Sequence, residues 1–175
     1  IKEPIVYRNE VLGIELSIEP CDCFKLDVTV KYNTKVLDQQ SASLYDMNDF
    51  ATEIAPCRTF VFLHELETLL SRNLIKGGDL TNAIVFVNKN VSSEELDHIA
   101  AFFKKPKVLV KEGGILNNVD LYFENEPARH KLLDVIGDLT LVGKPIKGHV
   151  TAYKPGHFSN TSFARKIKHT MLQQE

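Results

Sequence analysis

The sequence predicts an α+β fold: a two-layer sandwich in which a mostly antiparallel or mixed sheet is packed by helices. Strand patterns outnumber helix patterns along the 175 residues. The first three strand patterns also follow one another without a helical crossover. Both observations favour this class over a doubly wound parallel sheet. The length is that of one domain, or of one domain with an insertion.

The first part of the chain is predicted to form strands. Apolar residues alternate with polar or small ones from Leu12 to Ile18 and again from Phe24 to Tyr32. We interpret these two runs as an antiparallel hairpin with one buried face. A weaker strand pattern covers Ser41 to Met47, and Asn48 is placed to cap a short helix after it.

The middle of the chain contains a compact β-α-β insert at about residues 58–87. Its two strand patterns, Arg58 to Phe62 and Ala83 to Val87, flank a helix pattern from Leu63 to Leu70. The residues Ser92-Ser93-Glu94-Glu95 then cap a further helix, which reaches Phe102 or Phe103.

Short strands and two longer helices complete the predicted fold. Strand patterns at Val108 to Val110 and Val119 to Phe123 flank a Gly-Gly turn, and residues 88–114 receive no functional role. The last predicted elements are a helix from Asn125 to Gly143, a strand from Ile146 to Tyr153 and a helix from Ser159 to Leu172.

The composition excludes several classes of partner. A net charge of −2 gives no reason to expect a nucleic acid or an anionic membrane surface. No apolar run approaches the roughly 20 residues of a membrane span, so we expect no integral membrane contact. Three cysteines without framework spacing fit a reducing cytoplasm, where we place the protein. Because the chain begins at Ile1 rather than Met, we expect its natural start to lie upstream.

One short stretch points to chemistry. His130, Asp134 and Asp138 follow at four-residue steps, which on a helix places them on one face, about 6 Å apart along the axis. A His and an Asp so placed can bind one metal ion, and Zn²⁺ suits these ligands. The second Asp can orient or charge-balance the site, and Gly137 suggests a close approach to the helix. The alternative is an exposed His-Asp pair on a helix surface.

A second histidine, His157, follows a Pro-Gly turn about twenty residues later. Near a metal and a carboxylate it can act as a general acid, and the alternative is an ordinary turn histidine at a helix start. A catalytic zinc needs about three protein ligands, and no other histidine has ligand spacing to His130. The sequence therefore leaves the metal site one ligand short.

Six further candidates each keep two interpretations. Lys131 and Lys154 can bind phosphate groups as point charges, or they can be ordinary solvated lysines. An apolar ligand channel or a small core can be formed by Phe60, Phe62, Leu66 and Leu69. The spacing of these residues does not separate the two interpretations.

Together these segments resemble the zinc-dependent UDP-3-O-acyl-N-acetylglucosamine deacetylase family of lipid A biosynthesis, specifically its second domain. The matching strings occur in family order over about residues 11–172. They are Arg58-Thr59-Phe60-x-Phe62, Ser71-Arg72-Asn73-Leu74 with Gly77-Gly78, Ala83-Ile84-Val85, Ala128-Arg129-His130-Lys131-x-Leu133-Asp134-x-Ile136-Gly137-Asp138-Leu139, and Thr151-Ala152-Tyr153-Lys154-x-Gly156-His157. The last two strings are the most specific.

The resemblance implies zinc-assisted hydrolysis of an amide and a role for each matching residue. His130 and Asp134 would be the zinc ligands. Asp138 would support His157, which would protonate the leaving amine, and Thr59 would help to stabilise the oxyanion. The implied substrate contacts are Lys131 and Lys154 to the sugar-phosphate part, and Phe60, Phe62, Leu66, Leu74 and Ala83 along the passage for the fatty acyl chain.

The resemblance also implies partners. The substrate would be UDP-3-O-acyl-N-acetylglucosamine, and residues 1–175 would form the second domain of the enzyme. The family's third zinc ligand and its general-base Glu lie in a first domain that this chain lacks, so the chain alone would be nearly inactive. Some relatives continue into a hydroxyacyl-acyl-carrier-protein dehydratase, and a fused form stays open here. The alternative to an enzyme is a non-catalytic acyl- or nucleotide-sugar-binding domain of the same fold.

Overall fold

The computed structural model describes residues 1–71 and 82–173. The elements are β1 (Ile5–Asn9), β2 (Ile14–Glu19), β3 (Phe24–Lys31), β4 (Gln39–Leu44), β5 (Thr59–Phe62), α1 (Leu63–Ser71), β6 (Ala83–Phe86), α2 (Ser93–Phe102), α3 (Glu126–Leu139), β7 (Gly148–Tyr153) and α4 (His157–Gln173). The chain divides into two units. Unit 1 comprises Ile1–Lys31, Gln39–Cys57 and Asn125–Glu175, and unit 2 comprises Tyr32–Asp38 and Arg58–Glu124.

Unit 1 is built on a five-stranded sheet in the order β1-β2-β7-β3-β4. β7 pairs antiparallel with β2 and parallel with β3, and the outer pairs β1/β2 and β3/β4 are antiparallel. Helix α3 packs against β3 and β4, and helix α4 packs against β1 and β2. The predicted α+β sandwich with a mixed sheet is therefore confirmed.

The predicted hairpin between the first two strand patterns is wrong. β2 begins at Ile14, pairs with β1 and β7, and is separated from β3 by β7. Residues 20–23 connect β2 to β3, which is enough chain to cross two strand spacings of about 4.8 Å each. Alternation correctly marks the buried face of each strand, but it carries no information on which strand lies beside it.

A glycine allows β7 to lie close to β2. A Cβ atom at Gly148 would sit 2.7 Å from Cδ1 of Ile18 and 3.1 Å from the carbonyl oxygen of Glu19. The backbone N–H of Gly148 also donates to the carbonyl of Cys23 at 3.1 Å. β7 therefore starts at a position where a residue without a side chain is needed.

The interior of unit 1 lies between the sheet and the two helices. It is filled by alternate strand residues and by helix residues three or four positions apart. These buried side chains are Leu16, Ile18, Leu26, Val28, Val150 and Ala152 from the sheet, and Leu132, Val135, Leu139, Phe163 and Ile167 from the helices. Each large apolar side chain contributes about 1.5–3 kcal/mol on burial. Leu172, at the end of the predicted last helix, is exposed.

The predicted cap at Asn48 is also wrong, by two residues. The side chain of Asp46 accepts the backbone N–H of Asn48 at 2.9 Å and begins a 3-10 turn, Met47–Asp49. A π-helical segment, Phe50–Ile54, follows directly. Asp and Asn side chains are of equal length and both can accept an N–H group at a helix start, so the composition around a cap does not identify which residue makes it.

Unit 2 contains β5 and β6, which pair in parallel, together with α1 and α2. The predicted cap of α2 is present and is a reciprocal capping box: Ser92 Oγ accepts the N–H of Glu95 at 3.2 Å, and Glu95 Oε2 accepts the N–H of Ser92 at 2.8 Å. Across the described residues of both units, no helix combines the length and the apolar character needed to cross a membrane.

The predicted strands at Val108–Val110 and Val119–Phe123 are wrong. Val110 makes one isolated bridge, with Leu116, and the described residues 119–123 belong to no strand or bridge. One backbone group that a ladder could use is bonded to a side chain, because Lys111 Nζ donates to the carbonyl of Val119 at 3.0 Å.

The sheet face of unit 1 that points away from α3 and α4 carries a polar cluster around Asp27. The hydroxyls of Ser43 and Tyr45 donate to its Oδ1, the latter at 2.8 Å, and His149 Nε2 lies 2.6 Å from its Oδ2. Partial burial alone would raise the pKa of Asp27, but the hydrogen bonds from Ser43, His149 and Tyr45 outweigh it and hold this pKa below its usual value.

Replacing Asp27 by asparagine should lower the thermal unfolding midpoint at pH 7, by the equivalent of about 1 kcal/mol, because a charged hydrogen-bond acceptor is lost. Since the folded pKa of Asp27 is depressed, its contribution is present above the unfolded pKa of about 3.9 and is lost as the pH falls through the folded pKa. The deficit should therefore close on acidification, which circular dichroism melts at decreasing pH would measure. Glu15→Gln, which removes an exposed pair with Arg8, is the control and should change little. A deficit that does not depend on pH would contradict this account.

Candidate metal centre and active site

Helix α3 positions the central part of the candidate site. It begins at Glu126 with Pro127 in its first turn, and Gly143, at φ 83°, ends the 3-10 turn that follows it. The buried stripe of α3 packs against the sheet of unit 1. This orientation leaves the face with His130, Asp134 and Asp138 only partly covered, as the four-residue spacing predicts.

His130 and Asp134 form the first pair of the site. Nε2 of His130 lies 3.5 Å from Oδ1 of Asp134, and the two side chains are 15% and 13% exposed. Nδ1 of His130 lies 3.1 Å from the backbone carbonyl of Cys57. Because a carbonyl only accepts, Nδ1 carries the proton, and the lone pair of the neutral ring is on Nε2, beside the carboxylate. A metal-binding histidine has this arrangement, with its other ring nitrogen donating to a carbonyl.

Arg129, the neighbour of His130 on α3, makes hydrogen bonds to the segment that carries Cys57. Arg129 Nη1 donates to the carbonyl of Glu53 at 2.9 Å and to its carboxylate at 2.6 Å. The thiol of Cys57 donates to the same Glu53 carbonyl at 3.4 Å. Sequence analysis missed Cys57 because a backbone carbonyl leaves no side-chain pattern to recognise.

Asp138 and His157 form the second pair. His157 is the first residue of α4, and its Nδ1 donates to Oδ2 of Asp138 at 2.9 Å. Its Nε2 lies 4.0 Å from Oδ2 of Asp134. The His157 side chain is 70% exposed, whereas that of Asp138 is 17% exposed. The two histidines therefore meet at one carboxylate, although they lie on different helices.

Two lysines lie beside these pairs. Lys131 Nζ is 2.8 Å from Oδ2 of Asp134, and Lys154 Nζ donates to the carbonyl of Leu12 at 2.9 Å. Lys154 has φ 53°, a left-handed conformation that is uncommon outside glycine and that turns the chain from β7 towards α4. The phosphate-binding roles of both lysines stay predictions. A Cβ atom at Gly137 would meet no described atom within 4 Å outside the backbone of its own helix, so no tight contact with the sheet accounts for this glycine, and a close approach by another group stays a prediction.

The donor set of unit 1 suits zinc, but it is incomplete. His130 and Asp134 offer a neutral imidazole nitrogen and a carboxylate oxygen, two ligand types that Zn²⁺ takes. Among the described residues, no group of three or more His, Cys, Asp or Glu side chains could hold a metal ion. These residues therefore fit part of a zinc site.

Other predicted site residues belong to unit 2. Thr59 is exposed at the start of β5, where it pairs with Ala83 of β6. Phe60 and Phe62 both contact Tyr32. The ring centroid of Tyr32 lies 5.4 Å from that of Phe60 and 5.6 Å from that of Phe62. These aromatic residues share an apolar cluster whose buried members are Leu37, Phe62, Ile84 and Phe86.

Three of the predicted acyl-passage residues, Phe60, Phe62 and Leu66, lie in two different apolar clusters. Leu66 is buried with Leu63 and Val85, away from the cluster of Phe60 and Phe62. Because successive strand residues point to opposite faces, the two clusters lie on opposite sides of the β5/β6 pair. The position of Leu66 favours a role in the core of unit 2. Leu74 lies outside the described residues.

The fold and the paired side chains define a class of protein: an α+β domain in which two histidine–carboxylate pairs lie side by side on two packed helices. A family model described as UDP-3-O-acyl N-acetylglycosamine deacetylase, LpxC, matches residues 1–109 and 99–169. The chain belongs to this family, as the sequence motifs predict.

Similar proteins carry related names. The chain is 46% identical over 168 residues to the bifunctional enzyme LpxC/FabZ of Bacteroides thetaiotaomicron, a match that covers 96% of the chain and 36% of that protein. It is 45% identical over 175 residues to the bifunctional enzyme LpxC/FabZ of Porphyromonas gingivalis, a match that covers 100% of the chain and 38% of that protein. It is 36% identical over 169 residues to the UDP-3-O-acyl-N-acetylglucosamine deacetylase of Chlamydia caviae, a match that covers 95% of the chain and 51% of that protein. The chain thus spans about a third to a half of the length of these curated relatives.

Proposed function

We propose that the chain is part of a zinc-dependent deacetylase that hydrolyses the N-acetyl group of UDP-3-O-acyl-N-acetylglucosamine in lipid A biosynthesis. The products would be acetate and the free amine. The observation that carries the proposal is the convergence of the two pairs, with His157 Nε2 4.0 Å from the Asp134 carboxylate that faces His130. Family membership supports the choice of reaction.

His130 and Asp134 would hold the zinc ion, and the chemistry that zinc supplies when bound is Lewis-acid activation of water and of the acetyl carbonyl. The hydrogen bond from His130 Nδ1 to Cys57 supports this role, because it directs the Nε2 lone pair towards the metal position. Partial burial also supports it, since electrostatic interactions gain strength away from bulk water.

His157 would be the general acid that protonates the leaving amine. Its Nδ1 is committed to Asp138, so proton transfer would use Nε2, which faces the site. Asp138 would fix the ring orientation and stabilise the charged imidazolium. The exposure of His157 leaves this nitrogen accessible to a substrate.

The proposal also assigns roles in substrate binding. Lys131 and Lys154 would bind the sugar-phosphate part, and Thr59 would donate its hydroxyl to the oxyanion. Phe60 and Phe62 would contact the acyl chain through their aromatic cluster. Ala83 and Leu74 stay in the proposal without further support from the described residues.

We propose that the remaining zinc ligand and the general base come from a first domain of the same polypeptide. The fraction of the curated relatives that the chain spans supports this. We place the enzyme in the cytoplasm, with the absence of a disulfide at Cys21, Cys23 and Cys57 as support. A non-catalytic acyl- or nucleotide-sugar-binding domain is the second candidate, and it is less favoured because binding alone does not require both histidine–carboxylate pairs.

The full-length protein should release acetate from UDP-3-O-acyl-N-acetylglucosamine, whereas the 175-residue chain should do so very poorly and should hold zinc weakly. A general base contributes about 10²–10⁴-fold and acts as a unit with the other catalytic groups. The assay compares both proteins on this substrate, and their zinc content is measured after dialysis against a mild chelator.

Near-equal turnover, or stoichiometric zinc in the 175-residue chain, would show that the assignment to two domains is wrong. If the zinc-loaded full-length protein released no acetate but bound the UDP-sugar, the binding-domain alternative would replace the enzyme.

A further inference from the structure

Asn160 lies beneath the Asp138–His157 pair. It is on the first turn of α4, three residues after His157, and is 0% exposed. Its Nδ2 donates to Oδ2 of Asp138 at 2.9 Å, the same oxygen that accepts from His157 Nδ1 at 2.9 Å. One carboxylate oxygen thus has two donors, one from an exposed ring and one from a buried amide.

The amide of Asn160 can take only one orientation. Turning it by 180° would place its Oδ1 against Oδ2 of Asp138, an acceptor against an acceptor. In the observed orientation, Oδ1 is buried and has no protein partner among the described residues. An unpaired buried carbonyl costs free energy, whereas an apolar side chain of similar size would avoid that cost. Packing alone therefore does not account for an asparagine at this position.

Exposure falls along this set of contacts, from 70% for the His157 side chain to 17% for Asp138 and 0% for Asn160. Because an exposed ring is not held by packing, the orientation of His157 depends on Asp138. The second donor to Oδ2 favours the carboxylate rotamer that keeps this oxygen towards His157.

The first turn of α4 also fixes the spacing between Asn160 and His157. Ser159 Oγ accepts the N–H of Gly156 at 3.0 Å and donates to its carbonyl at 2.9 Å. The backbone N–H of Asn160 donates to the same carbonyl at 2.8 Å. The amide of Asn160 and the ring of His157 therefore contact Asp138 from the same helical turn, whose backbone is held by its own hydrogen bonds.

We propose that Asn160 is a positioning residue that orients His157 for proton transfer by holding the carboxylate of Asp138. It acts through Asp138 and does not touch the substrate. This inference rests on the proposed deacetylase function.

The test is Asn160→Leu in the full-length enzyme, a change that removes the donor and keeps the bulk of the side chain. We expect kcat to fall by about 10- to 100-fold with KM unchanged, because the substrate contacts stay in place. The thermal midpoint should change little, because the loss of the hydrogen bond to Asp138 and the removal of the unpaired Oδ1 oppose each other. Ile167→Val, at another fully buried position of α4, is the matched control: it should lower the midpoint and leave kcat unchanged.

Two further measurements exclude a general structural effect. In an Asp138→Ala background, Asn160→Leu should cause no further loss of kcat, because it acts through Asp138. In ¹⁵N-edited spectra, the His157 Nδ1–H signal, assigned by its loss in His157→Ala, should shift in Asn160→Leu.

Wild-type kcat with an unchanged His157 signal would overturn the inference, as would a loss of kcat that adds fully to that of Asp138→Ala. If the wild-type protein has no deacetylase activity, the proposed function fails, and the His157 signal still decides the role of Asn160. The two failures are therefore distinguishable.

Discussion

Replacing His130 by alanine should remove zinc from the full-length enzyme and reduce acetate release to background. The ring provides the Nε2 lone pair beside Asp134, and its loss leaves a carboxylate as the remaining proposed ligand of unit 1. Zinc sites have about four ligands including water, so the loss of one protein ligand weakens binding severely. Metal analysis after dialysis against a mild chelator, together with an acetate-release assay, measures both effects.

His169→Ala is the matched control for this variant. His169 is also a helical histidine, but it is exposed near the end of α4, where its Nε2 lies 3.0 Å from Gln173 Nε2. This control should keep its zinc and its turnover. Stoichiometric zinc in His130→Ala would show that His130 is not a ligand and would remove the basis for the proposed metal centre.

His157→Ala should lower kcat by about 10²–10⁴-fold and leave the zinc content intact, which separates its role from that of His130. His157 has its Nδ1 on Asp138 and is largely exposed, as a proton donor to an incoming substrate needs to be. Substrate binding should change less than turnover, because a general acid acts mainly in the transition state. Steady-state kinetics and metal analysis of the same preparation provide both measurements.

Loss of zinc in His157→Ala would contradict the role of proton donor and would make His157 a ligand. Unchanged turnover with zinc retained would instead place the general acid elsewhere. The same His169→Ala control applies, because it tests whether removing an exposed α4 histidine perturbs the helix as a whole.

Local periodicity was enough to predict most elements of unit 1. The alternation of Phe24–Lys31 and the start of α3 near Asn125 are both found, because each depends on neighbours within one strand or one helix. Pairing was not predictable in the same way. β7 comes from the end of the chain and lies between β2 and β3, which are adjacent in sequence.

In the candidate site, too, local spacing predicts some features, whereas packing between distant segments decides the others. His130, Asp134 and Asp138 lie at steps of four residues on one helix, so their common face follows from spacing alone. His157 is brought to them by the packing of α4 beside α3, which no local pattern encodes. Asn160 lies three residues after His157 on the same helix, but an asparagine at that spacing indicates a contact only once Asp138 is known to face it.

The sequence by itself determined the α+β class, the buried faces of the main strands and helices, the histidine–carboxylate face of α3 and, through its motifs, the family. The tertiary structure decided the strand order, the partners of His130 and His157, the buried amide on Asp138 and the separation of Leu66 from Phe60 and Phe62. The physical reason is the range of the interactions. Periodicity, capping and helix-face spacing act over a few residues, whereas strand neighbours and carbonyl or amide partners come from distant segments that only packing brings together.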